Sequence, residues 1–312
     1  MQVKQILIGK TLVENNIFLA PMAGYTDACF RDLSLKNGYG FAFTELVSAK
    51  GLCYGTNGSK DLLNTNGNYA KVGAQLFGSD PYYLRSAIES EYIAPFNVVD
   101  INMGCPVPKI FKNGEGSALL GDIKKAETLI KECVKTGKDI TVKIRTGLKK
   151  GDNVATDFAV MAEQSGAKLI TIHGRVREDY YSGEPDYTAI AQAKKSVKIP
   201  VIANGGIFTE KDAEKMFNET GADGIMIARG AIIDPTFAKT LLGEKPVLDN
   251  KRFIIEHVKG ACELYGESKA LRELKKFYPY YFKGKAQSKR IRERLMAVDS
   301  ASQVIEIIEQ DF

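Results

Sequence analysis

The chain has 312 residues, 44% of them hydrophobic and 26% charged, with 15 Phe and 14 Tyr, which is apolar material for a large core and excludes a disordered chain. Five cysteines with no C-x-x-C pair suggest neither a disulfide framework nor a thiolate zinc site, and two histidines, His173 and His257, argue against a histidine-rich metal centre. The net charge of +5 is mild, no apolar run approaches the roughly 20 residues of a membrane span, and MQVKQILIGKTLVENN carries no legible leader; a cytoplasmic protein that makes no use of a membrane is expected.

Eight short apolar runs follow one another at fairly even spacing: Ile17–Met22, Gly40–Val47, Lys71–Phe77, Val98–Met103, Ile140–Arg145, Leu169–His173, Pro200–Asn204 and Gly224–Ala228. Helical patterns separate most of them. Asp80-Pro81 opens one, Asp122 with Ala126, Leu129, Ile130 and Val134 marks another, and Asp152–Ser165, Asp186–Lys195 and Thr209–Asn218 repeat the theme. Thr209 with Asp212 three residues on reads as a capping box. Strands apolar throughout, alternating with helices, indicate a parallel sheet buried on both faces. Eight units in about 240 residues fit a closed (β/α)8 TIM barrel of the α/β class. An open doubly wound sheet fits less well, because no G-x-G-x-x-G or Walker A motif is present.

Beyond residue 243 glycines thin out and helix formers dominate. Lys251–Tyr265 and Ser288–Ile308 read as amphipathic helices. The expected organisation is a barrel over 1–243 followed by a small α-helical domain over 244–312.

In a barrel the chemistry sits where strands end at the C-terminal face. The strand ends here are Ala20-Pro21-Met22-Ala23-Gly24, Gln75, Asn102-Met103-Gly104-Cys105-Pro106, Lys143 with Arg145, His173-Gly174-Arg175, Asn204-Gly205-Gly206 and Ala228-Arg229-Gly230. Lys143 stands inside the strand ITVKIR, where a buried ammonium is costly unless it meets an anion or does chemistry; snorkelling from the mouth is the plainer reading. Gly205-Gly206 ahead of a helix, with Arg229 nearby, reads as a cradle for the phosphate of a mononucleotide, or as tight turns alone. Cys105 lies in a Gly-Cys-Pro loop, where a thiol meets reactants as nucleophile or proton donor; a small buried hydrophobe is the alternative. That alternative suits Cys29, Cys133 and Cys262, and His257 reads as structural.

Residues 269–294 hold ten Lys/Arg against two Glu, +8 in 26 residues, with Phe277, Tyr278, Tyr280, Tyr281 and Phe282 interleaved. Cations among aromatics suit phosphate contacts and base stacking. A solvated helix face with aromatics packed on a core is the other reading.

The segments APMAGYTD (20–27), TELVSAKGL (44–52), QLFGSDP (75–81), DINMGCPVPK (100–109), GSALL (116–120), VKIRTG (142–147), ITIHGR (170–175) and IANGGI (202–207) occur in an order that resembles the tRNA-dihydrouridine synthase family. The resemblance spans about residues 17–235, and the helical appendix is similar to that family's tRNA-recognition domain. It implies an FMN-dependent enzyme that reduces the C5–C6 double bond of particular uridines in tRNA, with NADPH or NADH as hydride donor, working as a monomer. On this resemblance Pro21, Met22 and Ala23 would line the flavin, Gln75 would bond the isoalloxazine edge, Lys143 would contact its N1–C2 side, and His173 would sit beside it. Asn204, Gly205, Gly206, Ala228 and Arg229 would hold ribityl and phosphate. Cys105 would be the general acid. Asn102, Arg145 and Arg175 would face substrate, and Lys289, Arg290 and Arg292 would bind tRNA. Asn-Gly-Gly stands where many members have Asn-Gly-Asp, and Ala-Arg where Gly-Arg is common. Hydride at C6 of uracil leaves enolate-like charge at C5 and O4, and a thiol, mostly protonated at neutral pH, can supply the proton to C5.

Three other readings compete. A dihydroorotate dehydrogenase-like FMN barrel acting on a free pyrimidine has no reason for the basic appendix. A Schiff-base aldolase on Lys143 predicts a colourless protein. A non-catalytic RNA-binding protein leaves the Gly-Cys-Pro loop and Lys143 without a role.

Overall fold

The computed structural model describes residues 3–311. Two short strands, β1 (Ile6–Ile8) and β2 (Thr11–Val13), pair antiparallel as a hairpin. Then come β3 (Ile17–Leu19), β4 (Phe41–Phe43), the two-residue β5 (Val47–Ser48), β6 (Val72–Phe77), β7 (Val98–Met103), β8 (Asp139–Gly147), β9 (Leu169–Val176), β10 (Val201–Asn204) and β11 (Gly224–Ile227). From β3 onward every pairing is parallel. The order β4-β3-β11-β10-β9-β8-β7-β6, together with the β4–β6 pairing, closes an eight-stranded barrel, while β5 extends the β6 edge. Helices cover it between strands, so the expected (β/α)8 barrel is the observed fold.

Two-residue periodicity sorts the strand side chains. Phe18, Phe41, Phe43, Val98, Leu169, Ile202 and Met226 turn inward and form a closed apolar cluster with Ile6, Ile8 and Val13 of the hairpin. The hairpin thus seals one end of the barrel. Its turn sits on Gly9, at φ +57°, where an added Cβ would collide with the Asp139 carboxylate. Asp139 in turn accepts from the Lys10 N–H at 2.9 Å. The alternate residues, such as Val99, Ile101, Val142, Ile144, Ile170 and Ala203, face outward into a larger core against the helices. With the inner apolar layer at one end, the inward positions near the other end are free for polar groups, and they carry Gln75, Asp100, Asn102, Thr141, Lys143, His173 and Asn204.

Three features differ from expectation. The N-terminal hairpin has no counterpart among the eight expected runs. The run Gly40–Val47 splits, because the Thr44 hydroxyl accepts the Gln75 N–H at 2.9 Å and takes a place in the ladder. The single helix expected over Ser288–Ile308 is two, Ser288–Ala297 and Ala301–Asp311. Val298 is extended (φ −98°, ψ 154°), and the Ala301 N–H is taken by Glu267 at 2.7 Å. Apolar periodicity runs through the break because both helices bury the same side.

The helices after Gly243 pack on the barrel's outer layer. Phe30 of the helix Ala28–Lys36 meets the Phe253 and Phe277 rings at 5.5 and 5.8 Å, and Phe253, Leu271, Ile291, Leu295 and Ile308 belong to the barrel's own outer core. Among the described residues no helix is long and apolar enough to cross a membrane.

Candidate active site

The C-terminal ends of the barrel strands surround a cavity of about 410 Å³, within the range of small-molecule and cofactor sites. It is lined by Pro21, Met22 and Ala23 after β3, Gln75 on β6, Asn102 and Cys105 at the end of β7, Lys143 and Arg145 on β8, and His173 and Arg175 on β9. Asn204, Gly205 and Gly206 after β10, with Ala228 and Arg229 after β11, complete the wall. Of the sequence-derived site residues, only Lys289, Arg290 and Arg292 lie elsewhere. They stand on the Ser288–Ala297 helix, Lys289 and Arg290 exposed and Arg292 half-buried with its Nε donating to the Ser288 carbonyl.

Lys143 donates to Asn204 Oδ1 at 3.1 Å, and Asn204 donates from Nδ2 to the Met226 carbonyl at 2.7 Å. The lysine reaches across β9 into the cavity. Burial, reinforced by the Arg145 guanidinium, lowers its pKa to about 8, so the ammonium sits near its titration point at neutral pH. His173 is buried with Arg145, Lys143, Arg175 and Arg229 around it, which holds its imidazole neutral, well below its ordinary pKa. Arg175 Nη1 lies 3.2 Å from His173 Nε2; since a guanidinium only donates, Nε2 accepts and Nδ1 carries the proton.

The Cys105 loop is pinned from several sides. Asn102 Oδ1 accepts from both Gly104 N–H (3.1 Å) and Cys105 N–H (2.9 Å). The Cys105 carbonyl accepts from the Ser117 N–H and hydroxyl, and the Gly104 carbonyl from Arg145 Nε at 2.9 Å. The thiol is partly buried, and burial raises its pKa against the pull of the Val107 N–H, Arg145 and Lys143. It is therefore a protonated thiol at neutral pH, suited to give a proton rather than to attack. Arg145 has Nε and Nη1 engaged by carbonyls of Gly104, Val176 and Tyr180, so most of its donors hold the loops after β7 and β9. Arg175 likewise ties down Ser182 and Gly183.

At the anion end, Gly205 and Gly206 have φ of +117° and +69°. A Cβ on Gly205 would come 2.7 Å from His173 Cδ2, and one on Gly206 3.0 Å from Pro185. Both glycines are therefore required by conformation and by space. Neither N–H is given to a protein acceptor among the described residues, and Arg175 and Arg229 stand beside them. Two N–H donors and the guanidiniums of Arg175 and Arg229 beside them are a donor set for a phosphate monoester, so the residues fit FMN. The expected capping box is present: Thr209 Oγ1 accepts the Asp212 N–H, and Asp212 accepts the Phe208 and Thr209 N–H groups. That helix end is thus closed by its own carboxylate, which leaves the glycine turn to face the anion.

Three cavity aromatics do not stand out in the sequence, Tyr25, Tyr181 and Phe208, and they are joined there by Tyr280 of the basic, aromatic run. Tyr181 stacks 6.5 Å from His173 beneath the Arg145 and Arg229 guanidiniums, and its only sequence signal is a Tyr-Tyr pair in a loop shortly after His173. Tyr280 comes from the helical region. The base-stacking role expected of its neighbours is not available, because Phe277, Tyr278, Tyr281 and Phe282 are buried in the core; Tyr280 alone of that run reaches the cavity, edge-on to Tyr25 at 5.7 Å. Cations nearer the mouth than the expected trio are Lys276, over Tyr25, and Lys283, 5.9 Å from the Phe208 ring centre. Cys29 and Cys133 are buried as read, and Cys53 is exposed. His257 is buried with Nδ1 2.7 Å from the Tyr281 hydroxyl and Nε2 3.8 Å from Asp27 Oδ1, consistent with a structural role.

The structure resembles known barrels in fold. Histamine dehydrogenase from Rhizobium sp. 4-9 superposes with a TM-score of 0.59 at 14% identity, covering 88% of this chain and 50% of that one. TcOYE with pHBA gives 0.59 at 8% identity, covering 77% and 92%. The sequence relatives are much nearer. The tRNA-dihydrouridine synthase B of Vibrio parahaemolyticus is 34% identical over 315 aligned positions, 98% of each chain, and that of Vibrio cholerae 33% with the same coverage. A probable tRNA-dihydrouridine synthase of Rhizobium leguminosarum is 36% identical over 86% of each. The dihydrouridine synthase (Dus) family model matches residues 18–312. A match of that extent, over a cavity assembled from the strand ends, means that this chain belongs to the dihydrouridine synthase family.

Proposed function

We propose that this chain is a flavin-dependent oxidoreductase that reduces uridines in tRNA to 5,6-dihydrouridine, holding FMN in the barrel cavity and drawing its electrons from NADPH or NADH. The observation that carries the reading is the single cavity in which a protonated thiol, a tunable ammonium, a neutral imidazole and a glycine anion turn converge. FMN, when bound, supplies the hydride that goes to C6 of uracil.

The chain's own residues supply the rest. Gly205, Gly206 and Arg229 would hold the phosphate, with Asn204 and Ala228 along the ribityl chain, and Pro21, Met22, Ala23, Gln75 and His173 around the ring system. Lys143 would place its ammonium against the flavin's pyrimidine edge, where negative charge collects on reduction. Cys105 holds the proton destined for C5: the S–H bond breaks as the C5–H bond forms, and the thiolate is steadied by Arg145 and Lys143 until water reprotonates it. Asn102 and Arg145 would face the uracil, whereas Arg175, expected there from the resemblance, would stand with Arg229 beside the Gly205–Gly206 turn at the phosphate. A uridine within folded tRNA must leave its stack to enter, at a cost of a few kcal/mol that contacts to surface cations can offset. In this reading residues 1–243 catalyse and 244–312 engage tRNA, and the enzyme acts in the cytoplasm as a monomer. The free-pyrimidine alternative gains no support, since it has no use for the cations of the helical region.

The test is anaerobic. Protein reduced by NADPH or NADH should be reoxidised rapidly by unmodified tRNA, followed by flavin absorbance, and not by free uridine or orotate. Reoxidation only by the free pyrimidine would transfer the reading to that alternative.

A further inference from the structure

Beneath the cavity floor lies Asp100, an inward residue of β7 that is fully buried and that the proposed mechanism does not use. In register it sits between Gln75 on β6 and Thr141 on β8. Its Oδ1 accepts from the Thr141 hydroxyl at 2.6 Å and its Oδ2 from Gln75 Nε2 at 2.8 Å. Gln75 Oε1 then accepts from Asn102 Nδ2 at 3.0 Å, and Asn102 Oδ1 accepts from the Gly104 and Cys105 N–H groups. Each link is set by the one before it. A carboxylate oxygen facing an amide can only accept, so Gln75 must present its nitrogen to Asp100. Its oxygen is thereby directed to Asn102, which must answer with nitrogen and so turns its oxygen on the cysteine loop. The direction survives protonation of Asp100, provided the proton lies on the oxygen shared with Thr141.

We propose that Asp100 is a positioning residue: through the ordered amides of Gln75 and Asn102 it fixes the peptide that carries the Cys105 thiol. Without an acceptor oxygen at position 100 both amides can turn over, because each offers nitrogen and oxygen with nearly the same shape. The turned arrangement would set Asn102 Nδ2 against two N–H donors, a repulsion that would release the Gly104–Cys105 peptide. The same chain orders the Gln75 amide that faces the cavity, so a single buried carboxylate sets two polar groups of the site.

The role of Cys105 as acid rests on the proposed function; the positioning chain is tested independently of it. Amide hydrogen exchange at Gly104 and Cys105 would be measured in the flavin-loaded protein for wild type, Asp100→Val and Asp100→Asn, alongside single-turnover reoxidation by unmodified tRNA. Asp100→Val is expected to keep its flavin, to speed exchange at both amides at least tenfold, and to slow reoxidation at least thirtyfold. Asp100→Asn can still present oxygen to Gln75 and nitrogen to Thr141, and is expected within about fivefold of wild type on both readouts. Exchange in folded Asp100→Val within twofold of wild type would overturn the proposal, as would Asp100→Asn behaving as badly as the valine variant. Should Asp100→Val not fold, Asp100→Ser, whose hydroxyl is too short to reach Gln75, is read in the same way. If Cys105→Ala turned over normally while Asp100→Val loosened the two amides, the acid assignment would fall and the positioning chain would stand.

Discussion

Lys143 and Asn204 stand on strands separated by β9, yet the lysine Nζ donates to the asparagine Oδ1 at 3.1 Å. This bond holds the lysine across the cavity, where burial and the Arg145 guanidinium lower its pKa to about 8. A cavity that needs the ammonium should lose its rate above that pH. We predict that the wild-type uridine step falls as pH rises through about 8, and that Lys143→Met, about 10²-fold slower, lacks this limb. Stability moves the other way. Between about 8 and the unfolded lysine's value near 10.4, the unfolded chain holds a proton that the folded chain has released, so folding is favoured as pH rises through that window. Below about 8 both states are protonated and the desolvation penalty is constant. Denaturation of flavin-free wild type and Lys143→Met from pH 7 to 10.5 checks this. A stability difference that does not move in favour of wild type would show that Lys143 is not desolvated.

Cys105→Ala removes the thiol and leaves the loop's backbone bonds, which come from Asn102, Ser117 and Arg145, in place. The variant should bind FMN and accept electrons from NADPH or NADH at wild-type rate. Its oxidation by tRNA should drop by about 10² to 10⁴, the usual scale for a lost general acid. Stopped-flow absorbance separates the two half-reactions. Equal loss in both would mean that the cysteine supports the flavin rather than the proton.

The contrast between what is legible in the sequence and what is not is physical. The barrel is readable because strands buried on both faces are apolar throughout, and few folds other than a helix-covered parallel sheet produce that pattern. The strand-end residues are readable because the fold then says where chemistry sits. The hairpin of Ile6–Val13 is not, because its alternation is short and its purpose, sealing the barrel, depends on the inner faces of six other strands. Phe277, Tyr278, Tyr281 and Phe282 look like a stacking surface because cations interrupt them; on one short turn they bury while Lys275, Lys276 and Lys283 remain at the surface or half-buried. Asp100 is visible within the segment DINMGCP, but its partners Gln75 and Thr141 lie on neighbouring strands, and only the register brings them together.

Gly205 makes a sharp test of the anion turn. Alanine there meets both a φ of +117° and a Cβ 2.7 Å from the His173 ring. Gly205→Ala should therefore displace His173 or the turn and weaken FMN binding at least tenfold, read from flavin fluorescence on titration of the flavin-free protein. Gly221→Ala is the control. It has a left-handed φ of +62° but open space around its Cβ position, so it should cost about 1 kcal/mol of stability and leave FMN affinity unchanged. Parallel losses in both variants would show that backbone strain, not the cradle, is being measured.

The path of the RNA over the surface can be read from salt dependence. Lys289 and Arg290 project from the Ser288–Ala297 helix, with Arg292 half-buried beside them, while Lys283 stands nearer the mouth over Phe208. Each phosphate contact contributes about 0.7 to 0.9 to the slope of log affinity against log salt. If the helix carries three such contacts, the combined Lys289→Ala, Arg290→Ala and Arg292→Ala variant should lower the slope by about 2 to 3 while FMN content and reduction by NADPH or NADH stay unchanged. Lys283→Ala should lower it by a little under 1. Binding isotherms for unmodified tRNA at four salt concentrations decide between the two surfaces. A slope that ignores the triple change but responds to Lys283→Ala would route the RNA across the cavity mouth and away from the helix. Loss of affinity with no change of slope in either variant would mean that these side chains act on the fold and not on phosphate.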